Sequence, residues 1–138
     1  MTDYQRTLHL HSRGKGFTNI TSVLNETVAM SGVQVGLCTV FVQHTSASLL
    51  IQENADPAVL RDLERWMSDL APESRRWEHD DEGADDMPAH ARSALTRTSE
   101  TIPVQSGRLA LGTWQGVYLW EHRERPHRRQ LIVHIAGQ

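Results

Sequence analysis

A chain of 138 residues is long enough for one domain and too short for two of ordinary size. Its 38% apolar and 22% charged residues are those of a globular protein, and a net charge of −3 gives no field that would gather nucleic acid or an anionic membrane. No run approaches 18 apolar residues, which excludes a spanning helix. The apolar share is lean, so oligomerisation stays open as a way to complete the core. The single Cys38 has no internal disulfide partner, and Arg6, His9, His11, Arg13 and Lys15 interrupt the first apolar cluster. No secretory leader and a cytoplasmic setting are therefore expected.

In chain order, Tyr4 to His11 sets Arg6, Leu8 and Leu10 against Gln5, Thr7, His9 and His11, a period-two strand. RGKG then makes a turn. From Asn19 to Ser31 the residues Ile20, Val23, Leu24 and Val28 fall at helical spacing, with Gly32 as the stop. Val33 to Gln43 predicts a buried strand, and Ser48 to Gln52 a short one after the HTSAS turn. Asp56 caps a helix with Pro57 in its first turn, and Leu60, Leu63, Trp66, Met67 and Leu70 carry its stripe to Pro72. A shorter helix is predicted over Pro88 to Arg97. The tail reads as strands at Thr101 to Gln105, Leu109 to Leu111, Trp114 to His122 and Gln130 to Ala136. The expected fold is α+β: one domain over 1–138, a mainly antiparallel sheet or sandwich with two to three helices.

Three stretches carry residues suited to chemistry. In HDDEGADDMPAH, Asp85 or Asp86 is placed to cap the helix at Pro88, while Asp80, Asp81 and Glu82 read as solvated loop. Should the helix begin earlier, Asp86 and His90, four apart, share a face and can chelate a cation or pair as acid and base. In QHTSAS, His44 ends a buried strand, and the Thr45, Ser46 and Ser48 hydroxyls and amides either hold an anion or satisfy their own turn. In the tail, Trp114, Tyr118 and Trp120 share one strand face, as sheet packing or as a subunit interface. Arg108, Arg123, Arg125, Arg128 and Arg129 either grip phosphate or defend a solvated edge. Cys38 sits in VQVGLCTVFV, where a buried inert thiol is favoured over a nucleophile. The phosphate-loop, dinucleotide, zincin and paired C-x-x-C patterns are absent.

Taken together, HTSASLLIQENADPAV, HDDEGADDMPAH, IPVQSGRLALGTWQGVYLWEHR and a closing strand ending in Gly resemble the YjbQ-like family, from about residue 5 to residue 137. The resemblance implies a homotrimer with a histidine-rich pocket that in some members holds a divalent metal, here zinc or magnesium. It also implies secondary thiamine-phosphate synthase activity, in which hydroxymethylpyrimidine diphosphate joins thiazole phosphate and pyrophosphate leaves. Carried over by position, the expected metal ligands are His44, His79, Asp86 and His90. The expected catalytic groups are His44, Asp86, His90 and Arg108, and the substrate contacts are Thr45, Ser46, Gln115 and Glu121, with His122 as an added candidate. The alternatives are a metal-dependent enzyme on another small phosphorylated metabolite, or a non-enzymatic trimer that binds a metal or anion. Beneath all of these stands the reading that the histidines are structural.

Overall fold

The computed structural model describes residues 1–138. Its elements are β1 (Thr2–His11), β2 (Gly16–Asn19), α1 (Thr21–Ser31), β3 (Val35–Val42), β4 (Ala47–Glu53), α2 (Pro57–Leu70), α3 (Asp86–Leu95), β5 (Ser99–Gln105), β6 (Arg108–Leu109), β7 (Gln115–Glu121) and β8 (Arg128–Gly137). One sheet runs β1-β8-β3-β5-β6 and the other β2-β7-β4. Every pairing is antiparallel, which bears out the α+β expectation. No helix is long and apolar enough to cross a membrane.

Alternation along the strands decides what is buried. Cys38, Val40 and Val42 of β3 point inward beside Leu131, Val133 and Ile135 of β8, and meet Leu49, Val117 and Leu119 of the small sheet. Leu24 and Val28 of α1 close the same cluster, so both sheets share one core. Burial pushes the Cys38 thiol up to about 11. It holds no thiolate at neutral pH, in accord with the inert reading.

The outer face of the small sheet lies under α2. Trp120 pairs with Phe17 across β2 and β7, with ring centroids 4.6 Å apart, and its indole N–H donates to Glu64 of α2 at 3.4 Å. Tyr118 and Trp120 are thus buried within the chain, which corrects the idea that this aromatic strand needs a partner subunit to cover it. Trp114 precedes β7, is 64% exposed and does not belong to that face. The strand β2 was not expected. The third helix begins at Asp86 rather than Pro88, so the proline is its third residue, where its missing N–H costs nothing.

Pairing gathers the C-terminal ends of β1, β3 and β7 with the N-terminal ends of β2, β4 and β8. At this end Arg129 of the large sheet forms an ion pair with Glu121 of the small one, through Nη2 and through Nε at 2.7 Å. The Ser12 hydroxyl donates to the same carboxylate at 2.6 Å, and Arg129 Nη2 also donates to the Ser46 hydroxyl at 3.0 Å. Arg129 is therefore neither an edge defence nor a free phosphate grip. It pins the two sheets together.

Candidate functional site

The earlier helix start is what builds the site. Once α3 includes Asp86, its carboxylate and the His90 ring lie on adjacent turns, with His90 Nε2 3.4 Å from Asp86 Oδ2. His79, from the preceding loop, brings Nε2 to 2.7 Å from that same oxygen. Donor atoms of His79, Asp86 and His90 all lie within 4.8 Å of one another. Asp86 is buried, whereas both imidazoles reach solvent. His90 Nδ1–H donates to the Thr45 carbonyl at 3.1 Å, which turns Nε2 toward Asp86.

Sequence reasoning placed Arg123 only among arginines that either grip phosphate or defend a solvated edge. In the structure its Nη1 donates to Asp86 Oδ1 at 2.9 Å, its Nε to Asp85 Oδ2 at 2.9 Å and its Nη2 to the Glu82 carbonyl at 3.1 Å. Asp85 also accepts from the Glu124 N–H, so it ties the acidic loop to the β7–β8 connection, and its side chain makes no cap to α3, one of the two caps the sequence offered. Burial alone would raise the Asp86 carboxyl. The His79 hydrogen bond and the charges of His90 and Arg123 outweigh it and hold the group below the usual carboxylate range. The hydrogen bond to Asp86 pushes His79 the other way, upward.

Beside the cluster lies a groove of about 700 Å³ with Trp77, Met87 and His79 in its walls and Asp80 and Asp81 at its rim. The acids of that rim are exposed, as the solvated-loop reading has it. His44 stands at the same end of the fold but outside the cluster. Its Nε2 accepts from the Gln130 N–H at 2.8 Å, which commits the lone pair a metal would need. Burial, helped by Arg129, pushes its pKa down. Thr45 is exposed, while the Ser46 and Ser48 hydroxyls turn inward, to Arg129 and to His122 Nε2 respectively, and do not form an open anion nest. Glu121 is 1% exposed and fully engaged in the sheet-to-sheet network. Arg108 faces solvent opposite Gln105, and Gln115 opens β7 opposite Glu53. Both lie at the far end of the sheets, so one chain does not bring them to the cluster.

The profile described as "UPF0047 protein YjbQ-like" matches residues 6–138. The chain belongs to the YjbQ-like UPF0047 family. A UPF0047 protein of Synechocystis is 60% identical over 98% of this chain and 92% of its own length, and the UPF0047 protein YjbQ of Escherichia coli 44% identical over 98% and 99%. Among solved structures, a YbjQ-like protein of unknown function from Sulfolobus solfataricus superposes with TM-score 0.90 at 26% identity, covering 99% of this chain and 98% of that one. A YjbQ/UPF0047 protein from Clostridium acetobutylicum gives 0.85 at 34% identity, covering 96% and 99%.

In this YjbQ-like chain the donor set suits a divalent metal. Two imidazoles and one carboxylate form a half-buried cluster open on one side, the pattern of a site that keeps a position for substrate or water. Thr45 and Arg123 give His90 and Asp86 the outer partners that fix ligand orientation. A cation there would replace the proton shared by His79 and Asp86.

Proposed function

We propose that this protein is a metal-dependent enzyme acting on a small phosphorylated metabolite, with thiamine-phosphate formation from hydroxymethylpyrimidine diphosphate and thiazole phosphate as its reaction. The observation that carries the reading is the convergence of His79, Asp86 and His90 beside an open groove. Diphosphate must leave a benzylic-like carbon as positive charge develops there, so the departing oxygens need cationic stabilisation. A divalent cation would supply it when bound. Asp86, kept ionised by Arg123 and its two histidine neighbours, and the imidazoles of His79 and His90 are the groups that would hold that cation. His44 remains a group for proton transfer at the same end.

The reading includes a homotrimer. Arg108 and Gln115 can serve a pocket only from a neighbouring copy, because within one chain they sit at the opposite end of the sheets. The test is pyrophosphate release from the two precursors, with metal content measured on the same untagged sample. We expect release that depends on stoichiometric metal and is lost in Asp86→Ala and His90→Ala. Unchanged rates in both variants would refute the assignment. Metal binding without turnover would point instead to another metabolite or to a binding protein.

A further inference from the structure

The turn between β1 and β2, read in the sequence only as a turn, has the makings of a second site. It borders a groove of about 450 Å³ walled by His11, Arg13, Lys15, Phe17 and Thr18. No carboxylate lines that groove. Outside the groove, Glu73 lies 3.9 Å from the Lys15 ammonium, with the Glu124 carboxyl beside it, so Lys15 is only loosely engaged. Arg13 and Lys15 bring a guanidinium and an ammonium to the same turn.

The main chain adds donors. The N–H groups of Arg13, Gly14 and Lys15 donate to no backbone carbonyl, whereas the Ser12 N–H just before them donates to the His127 carbonyl at 2.8 Å. Gly14 and Gly16 have φ of 120° and 141°, a path that side chains resist. A Cβ at Gly14 would lie 2.6 Å from the Glu124 carbonyl oxygen, so the turn is seated against the β7–β8 connection and held in shape. Free N–H groups in a glycine turn, flanked by fixed positive charge, form an anion-binding concavity.

The turn also stands at the metal-cluster end of the fold. Gly14 rests on Glu124, whose N–H donates to Asp85, and Arg123 joins Asp85 to Asp86. We propose that Arg13–Gly16 is a subsite for a phosphate or diphosphate group, placed next to the His79–Asp86–His90 cluster. The choice of phosphoryl groups rests on the proposed function above. The cationic turn itself does not.

The experiment is titration of chelator-treated, metal-free protein with inorganic phosphate and with pyrophosphate, followed by calorimetry and by amide chemical shifts. We expect shifts centred on residues 11–18, binding that weakens with salt, and an affinity reduced about tenfold or more when Arg13→Ala and Lys15→Ala are combined. Asp86→Ala should bind both anions as the wild type does while losing pyrophosphate release. That separates failure of this subsite from failure of the catalytic reading. Shifts located elsewhere, or an unchanged affinity in the double variant, would overturn the subsite even if turnover were intact.

Discussion

Arg123 shows how one side chain can set up a cluster it does not join. By holding Asp86 Oδ1 it leaves Oδ2 as the oxygen shared by His79 and His90. Arg123→Ala should therefore weaken metal binding by about 10- to 100-fold, the usual cost of losing an outer partner, measured by competition with a chelator. Arg123→Lys should recover only part of it, because one ammonium cannot fork between Asp85 and Asp86. His122 offers a second test at this scale. It is 1% exposed, its Nε2 meets the Ser48 hydroxyl at 2.8 Å, and its Nδ1 has no partner. Burial, reinforced by Arg92 and Arg129, pushes its pKa down to about 3. As pH falls below the ordinary value near 6.5, the unfolded chain takes up this proton while the folded chain does not. Stability due to neutral His122 is thus complete above that value and drains away toward pH 3, by about 1.4 kcal/mol per unit. Urea unfolding from pH 7 to pH 4 should show a shallower decline in His122→Gln than in wild type. Parallel declines would contradict it.

At the scale of elements, α2 is the lid of the small sheet, and Trp120 is what it closes over. Trp120→Ala would empty a buried site between Phe17 and Glu64 and should cost about 3–5 kcal/mol in a denaturant titration. Elements with long periodic patterns were legible in the sequence: β1, α1, β3, α2 and β8 fall close to where spacing puts them, and the Asp56 side chain accepts from the Ala58 N–H as a cap should. The four residues of β2 are too few to display an alternation, and they become a strand only because β7 supplies the partner. The start of α3 was hidden because proline is tolerated anywhere in a first turn, so Pro88 fixed the helix only to within two residues. Site residues divide the same way. Asp86 and His90 declare themselves by their spacing, whereas Arg123 reaches Asp86 from 37 residues away through the tertiary fold, which no local pattern carries.

At the scale of the whole molecule, the large sheet has one face on the core and one left bare. Val35, Leu37 and Phe41 alternate outward along β3 and are 66%, 51% and 46% exposed. Register sets Ile132 of β8 opposite Phe41, and Ala136 and Pro103 opposite Leu37, so the apolar residues form a strip divided by one polar row of Thr39, Thr101 and His134. Its surroundings are mostly uncharged, with Thr39 and Thr101 hydroxyls 3.2 Å apart at the centre and His134 held by Gln5 and Asp3 at the β1 margin. An apolar strip of this kind on a chain with a lean core is stabilised by covering it, and the proposed homotrimer supplies a second copy to do so. A neighbouring copy is also what the proposed pocket would need for Arg108 and Gln115, which within one chain lie at the far end of the sheets from His79, Asp86 and His90. The expected mass in solution is three times that of the chain. Phe41→Glu combined with Leu37→Lys puts charge into the middle of the strip without touching the core-facing residues Cys38, Val40 and Val42. That variant should sediment as a folded monomer, retain its far-ultraviolet dichroism and bind metal, yet lose turnover if neighbouring copies complete the pocket. A wild type that sediments as a monomer would remove the trimer, and with it any role for Arg108 and Gln115 at the cluster. A monomeric variant of full activity would keep the trimer but confine the site to a single chain.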